Sequence, residues 1–246
     1  MVALRYLEAV RAIIEKLEKT QLPAIDQAAD LVIRSLTNGG AVFCSEIGHG
    51  NQGDFINRAG GLLAVQPFTF GLNVQSPVAE CLAERPRPES FDAEAETVRL
   101  ALRAGNVRPG DTLLVSSVSG RNRRPVELAL ACREMGIQTI GLTSLEYTQQ
   151  VEALHPSGKK LFEVVDIVID NCAPYGDAAV EIPGFDFKLL PVSGVSMIII
   201  GWMIWGRVME KMAAAGNPPS VLMSINRAGG QEYYNATKAE YHKKGY

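Results

Sequence analysis

The stretch Asp111-Thr112-Leu113-Leu114-Val115-Ser116-Ser117-Val118-Ser119-Gly120-Arg121-Asn122-Arg123-Arg124-Pro125-Val126-Glu127 decides the fold. It follows Pro109-Gly110, a turn signal, and Asp111–Ser116 reads as a buried strand. Hydroxyls and a glycine come next. Pro125, tolerated in a first turn, opens a helix predicted to run to Met135 and closed by Gly136. Ile137–Leu142 is again apolar and of strand length. Strand, turn, helix and strand in that order make a βαβ unit.

The same rhythm continues in both directions. Upstream, Ala41–Ser45 and Leu62–Val65 read as strands and Phe91–Ala104 as a helix. Downstream, Leu145–Leu154 reads as a helix and Val164–Ile169 as a strand. Strands alternating with helices of roughly 10–15 residues imply a parallel sheet covered on both faces, an α/β fold. Two helices precede it. In the first, residues 1–19, Leu4, Leu7, Val10, Ile13, Ile14 and Leu17 recur at helical spacing; the second starts near Pro23 and runs to Leu36. Residues 171–191, with three prolines and two glycines, break the rhythm and read as a long loop of the kind that carries function. Gly194–Ala214 is a long helix, apolar nearly all round, which implies a central core element or one shared between two subunits. Asn235–Tyr246 reads as a charged terminal helix. The organisation predicted is one α/β unit: helices over 1–38, a βαβ core over 39–170, a loop over 171–193, and a helix and tail over 194–246.

Composition bounds the function. The 246 residues are 47% hydrophobic and 21% charged with a net charge of -3, a globular balance that asks for neither nucleic acid nor an anionic membrane. The four cysteines, Cys44, Cys81, Cys132 and Cys172, form no C-x-x-C pair and read as buried free thiols of a reducing compartment. No secretory leader is legible in residues 1–19, and the most apolar run, Val195–Trp205, is too short to span a bilayer, so the cytoplasm is expected. Three scattered histidines, His49, His155 and His242, argue against a metal site, and no cofactor is expected.

Ligands of open parallel sheets bind beyond the carboxyl ends of the strands. The first strand is followed by Gly48-His49-Gly50-Asn51-Gln52-Gly53, a match to G-x-G-x-x-G. A dinucleotide would also need an acid at the end of the next strand, which reads Val65-Gln66-Pro67, so that ligand is disfavoured. A glycine turn feeding a helix N-terminus remains, and it suits an anion. The turn after residue 116 suits one better. Ser116, Ser117, Ser119 and Asn122 exceed what one helix cap needs, and Arg121, Arg123 and Arg124 add positive charge. It lacks G-x-x-x-x-G-K-[ST], which disfavours a nucleoside triphosphate. Thr143-Ser144 again places hydroxyls where a strand ends and a helix begins.

Leu114–Asn122, Pro125–Ala129, Gly136–Ser144, the Gly48-His49 turn, Arg58-Ala59-Gly60-Gly61-Leu62 and Asp170–Asp177 together resemble the sugar isomerase (SIS) domain, and within it the UPF0309 proteins, over roughly residues 5–240. The resemblance implies a three-layer αβα sandwich around a five-stranded parallel sheet, a phosphorylated sugar or aminosugar bound at the strand ends, and a homodimer. It implies that the phosphate is held by Ser117, Ser119 and Asn122 and by Thr143 and Ser144. Asn122 stands where relatives often carry Thr, and Glu46 where many carry a small residue.

Aldose–ketose isomerisation needs a base between C1 and C2, for which Glu46, His49, Asp177 and Glu181 are the candidates. Elimination of an ether from a muramic acid phosphate needs the same elements, and a non-catalytic phosphosugar sensor needs only the clamp. The helices over residues 3–36 balance Arg5, Arg11, Lys16 and Lys19 against Glu8, Glu15 and Glu18, which disfavours a DNA-binding regulator. His155, before Pro156, and His242, in the tail, read as surface residues.

Overall fold

The computed structural model describes residues 1–48, 51–86 and 91–246. Its elements, in chain order, are α1 Val2–Thr20, α2 Leu22–Thr37, β1 Val42–Gly48, β2 Val65–Phe68, α3 Ala93–Ala104, β3 Thr112–Ser116, α4 Arg123–Glu134, β4 Gln138–Thr143, α5 Leu145–Gln149, β5 Ile167–Asp170, β6 Ala178–Val180, β7 Leu189–Pro191, α6 Ser193–Ala214 and α7 Gly230–Lys244. Strands β1 to β5 form one parallel sheet in the order β2-β1-β3-β4-β5. All five residues of β3, the central strand, are buried, as a strand covered on both faces should be.

Two apolar clusters lie on the two faces of the sheet. One joins α1, α2 and α6 to Val42, Cys44, Leu114, Ile140 and Ile169, and the other joins α3 and α4 to Leu113, Val115 and Val165. Alternation along the strands explains this division: Leu113 and Val115 face one layer, and Leu114 faces the other. Helix α6 is the central element on its side. It buries Met197, Ile200, Ile204, Trp205 and Val208, each contributing roughly 1.5–3 kcal/mol when withdrawn from water. Among the described residues no helix is long and apolar enough to cross a membrane.

Several boundaries differ from the sequence reading, each for a physical reason. The second strand was expected at Leu62–Val65 and runs over Val65–Phe68. Leu62 instead bridges Val221, and Leu63 N–H donates to the Ser220 carbonyl at 3.0 Å. The fifth strand begins at Ile167 rather than Val164, although Val164 and Val165 are buried. They pack under the α3/α4 layer without pairing, and apolar character alone does not distinguish the two. The helix expected to reach Leu154 ends at Gln149, and the Leu154 amide bonds to the Arg121 carbonyl at 3.0 Å. The 171–191 stretch is not structureless, because β6 and β7 pair antiparallel within it. Cys44, Cys132 and Cys172 are buried thiols as expected; Cys81 is exposed, in a one-turn 3₁₀ helix, Glu80–Leu82, between β2 and α3.

Candidate functional site at the carboxyl edge of the sheet

The chain leaves β1 for β2 on one side and returns to β3 on the other, so the strand order reverses between β1 and β3. That switch point is where an open α/β sheet forms its crevice. Register puts the right residues there. Gly48 lies opposite Ser116, Ser116 opposite Leu142, and Thr143 opposite Asp170. The glycine turn and the serine loop therefore leave neighbouring strands at the same edge.

The serine loop is held from below and from one side. Ser117 N–H donates to the Leu142 carbonyl at 2.9 Å, and Gly120 N–H closes a turn onto the Ser117 carbonyl at 3.1 Å. The carbonyls of Gly120 and Arg121 accept from the amides of Leu161 and Leu154 at 2.8 and 3.0 Å. Gly120 sits at φ +62, and a Cβ there would lie 2.8 Å from the Thr143 hydroxyl, so the position demands glycine both for conformation and for space. Of the residues that carry the donors left over, Ser117 is buried, Ser119 and Arg121 are half-buried and Asn122 is exposed. Among the described residues, the hydroxyls of Ser117 and Ser119 and the amides of Ser119, Arg121 and Asn122 have no hydrogen-bond partner. Asn122 is the N-cap of α4 and makes no side-chain cap bond, so the first-turn amides of that helix are uncapped as well. Hydroxyls and amides converging at a helix N-terminus suit a multiply charged anion.

The other expected phosphate ligands do different work. Thr143 and Ser144 are fully buried. The Thr143 hydroxyl donates to the Val118 carbonyl at 3.2 Å; the Ser144 hydroxyl donates to the Ala173 carbonyl at 2.6 Å and accepts from Tyr147 N–H at 3.0 Å, capping α5. Both hydroxyls brace loops against one another. The arginines divide similarly. Arg123 pairs with Asp92 and Glu94, and Arg124 lies over the Phe70 ring at 5.4 Å. The Asp92 carboxyl is held below its ordinary range, first by the Ala95 amide it caps and also by Arg123. Arg121 is half-buried, and its Nε has no partner.

Of the expected acid–base residues, Glu46 is exposed in β1, between Cys44 and Gly48, where the pairing with β3 shifts register. Its Oε2 accepts from Gln52 Nε2 at 3.4 Å, and the Gln52 Oε1 is buried without a partner. His49 and Gly50 lie outside the described residues. The glycine turn is followed by a four-residue 3₁₀ helix, Asn51–Asp54, and not by an α-helix with a dipole of its own. Asp177, at φ +64, accepts from Ser193 N–H at 2.8 Å and from the Ser193 hydroxyl at 2.7 Å, so its carboxylate caps the start of α6. Glu181 is exposed on the β6–β7 hairpin. Among the described residues no group of three or more His, Cys, Asp or Glu side chains is arranged to hold a metal ion.

With this geometry in view, comparison with known proteins is direct. Residues 5–144 match the SIS domain. A UPF0309 protein of Caldanaerobacter subterraneus subsp. tengcongensis is 35% identical, covering 97% of this chain and 96% of that one. The chain belongs to the SIS domain family, among the UPF0309 proteins. A second UPF0309 relative, from Shouchella clausii, is 30% identical over 97% of this SIS-domain chain and 96% of its own. The fold is shared with a phosphoheptose isomerase from Neisseria gonorrhoeae (TM-score 0.53, 19% identity, 84% of this chain and 96% of that one). It is shared equally with one from Francisella tularensis (TM-score 0.51, 16% identity, 82% and 94%).

Sequence reasoning missed one buried polar pair near the serine loop's helix. His155 and Glu127 were read as a surface turn and a helix position, yet their side chains are 10% and 8% exposed and bonded to each other. No local pattern signals a pair 28 residues apart.

Proposed function

We propose that this SIS-domain protein binds a phosphorylated sugar or aminosugar at the β1/β3 switch point and interconverts its aldose and ketose forms. The observation that carries the reading is the convergence of unclaimed donors there: the Ser117 and Ser119 hydroxyls, the Arg121 and Asn122 amides and the uncapped start of α4. Such donors complement a phosphate dianion, and the helix dipole adds to them. In this reading Glu46 takes the C2 proton and returns it to C1, and His49 is the polar partner that exchanges a proton with the carbonyl oxygen. Gln52 holds the Glu46 carboxylate through its Nε2, and its Oε1 is buried without a partner. Asp177 and Glu181 are left out of the chemistry, the first because it caps α6 and the second because it stands on the hairpin.

The active species in this proposal is a homodimer. Leu4, Leu7 and Ile14 of α1 are exposed, and Trp202 and Met203 of α6 are only half-covered, an apolar surface suited to a second copy. Size-exclusion chromatography with light scattering checks it, and a monomer at micromolar protein is the adverse result.

A thermal-shift panel of hexose, aminosugar and heptose phosphates, each beside its dephosphorylated sugar, tests the clamp. Stabilisation is expected from the phosphates alone. The Ser117→Ala, Ser119→Ala double variant is expected to weaken binding by roughly 1–3 kcal/mol. Unchanged affinity would move the phosphate elsewhere. A sensor that binds without turnover needs the same donors and no acid–base pair. Deuterium exchange at C2, followed by NMR, separates the two: catalysed exchange that Glu46→Gln abolishes belongs to the enzyme.

A further inference from the structure

A buried polar cluster outside the site joins α4 to the segment over residues 154–161. Glu127 lies in the second turn of α4, the helix that the serine loop enters. Its Oε1 accepts from Arg99 Nε at 3.0 Å, and Arg99 is itself bidentate on Glu134. Its Oε2 is 2.9 Å from His155 Nε2. On the other side of the ring, His155 Nδ1 accepts from Ser157 N–H at 3.1 Å and lies 2.7 Å from the Ser157 hydroxyl. Because Nδ1 accepts a backbone proton, Nε2 carries the ring hydrogen and donates it to Glu127. A buried carboxylate thus has a fixed donor on each oxygen.

His155 lies in the segment that bonds to the serine loop. The amides of Leu154 and Leu161 flank His155 on either side along the chain, and they hold the carbonyls of Arg121 and Gly120. A trans peptide unit points its C=O and its N–H in opposite directions. With the Gly120 carbonyl drawn toward Leu161, the Arg121 N–H points the other way; with the Arg121 carbonyl drawn toward Leu154, so does the Asn122 N–H. Those two amides are among the unclaimed donors of the proposed anion seat. Lys160 Nζ, bonded to the Thr148 carbonyl at 2.6 Å, ties the same segment to α5.

We propose that His155, anchored on Glu127, is a positioning residue of the anion site: it holds the 154–161 segment so that the Arg121 and Asn122 amides face the phosphate. The proposal rests on the phosphate reading above and extends it to residues that never touch the ligand. Removing the imidazole leaves a Glu127 oxygen buried without its donor and loosens the end of the segment that holds the Arg121 carbonyl, while Leu161, buried in the core, and Lys160 still hold the other end.

The test is calorimetric titration of the full-length protein with inorganic phosphate, alongside its urea unfolding midpoint. His155→Ala is expected to weaken phosphate by about tenfold while the protein stays folded, and His155→Gln, whose amide can still donate to Glu127, to remain within roughly threefold of wild type. Should the alanine variant fail to fold, His155→Asn, whose amide stops short of Glu127, is expected to show the same drop. Wild-type phosphate affinity in the alanine or asparagine variant overturns the positioning role and leaves the phosphate site standing. An equal loss in the glutamine and alanine variants also overturns it, since the hydrogen bond to Glu127 would then be irrelevant. No phosphate binding by the wild-type protein overturns both.

Discussion

Substituting Gly120 with alanine places a methyl group where the structure leaves no room for one. The added Cβ would stand 2.8 Å from the Thr143 hydroxyl and 3.1 Å from that of Thr148, at a backbone angle of φ +62. Neither threonine can swing away easily, because both are fully buried and Thr143 donates to the Val118 carbonyl. The left-handed conformation costs an L-residue about 1–2 kcal/mol. Overpacking adds roughly 1–3 kcal/mol, including whatever part of the Thr143 bond is lost. The sum, roughly 2–5 kcal/mol, corresponds to a melting temperature lower by about 10 °C in a chain of this size. Gly216, at φ +74 with nothing within 4 Å of its added Cβ, isolates the backbone contribution. Gly216→Ala should therefore lose only about 1–2 kcal/mol. Urea unfolding of the two variants beside wild type gives the difference directly. Gly120→Ala should also bind phosphate more weakly, because the same shift turns the carbonyls of Gly120 and Arg121. If the two variants are equally stable, the close packing of Gly120 on Thr143 is wrong, and with it the account of how the serine loop is shaped.

Three further outcomes are expected. Gly201→Val drives a side chain into the Phe55 ring, whose Cζ is 2.2 Å from the position of an added Cβ, and should destabilise by roughly 1–3 kcal/mol or more in urea unfolding; wild-type stability would mean that α6 does not pack on that ring. Asp177→Asn weakens the cap of α6 and should lower stability by roughly 0.5–2 kcal/mol while leaving turnover per folded molecule intact; a collapse of turnover at unchanged stability would return Asp177 to the chemistry. Burial pushes the Cys132 thiol up to about 12 and the Cys172 thiol up to about 11, so the native state keeps protons that the unfolded chain releases from about pH 8.5. Stability should fall as pH rises through that window, and a thiol reagent at mildly alkaline pH should label Cys81 in the native protein and all four cysteines in denaturant. Rapid labelling of a second native thiol contradicts the buried environments.

The βα order and the serine loop were legible from residues 111–142 alone. Strand and helix write their periods into neighbouring positions, and glycine, proline and serine mark turns through their own backbone preferences. The parallel sheet followed, because strands joined by helices have few other ways to pair. Local pattern could not show which hydroxyls are already spent. Ser117 and Ser119 look no different in sequence from Thr143 and Ser144, yet the hydroxyls of the first two have no hydrogen-bond partner among the described residues while the others brace Val118 and Ala173. The same limit hid the bond of Asp177 to Ser193, sixteen residues away, and that of His155 to Glu127. A polar side chain's task is set by whichever partners the folded chain brings within hydrogen-bonding distance, and those partners come from remote positions. Residue type and spacing determined the frame and the place of the serine loop; tertiary packing alone decided which of its donors remain without a partner.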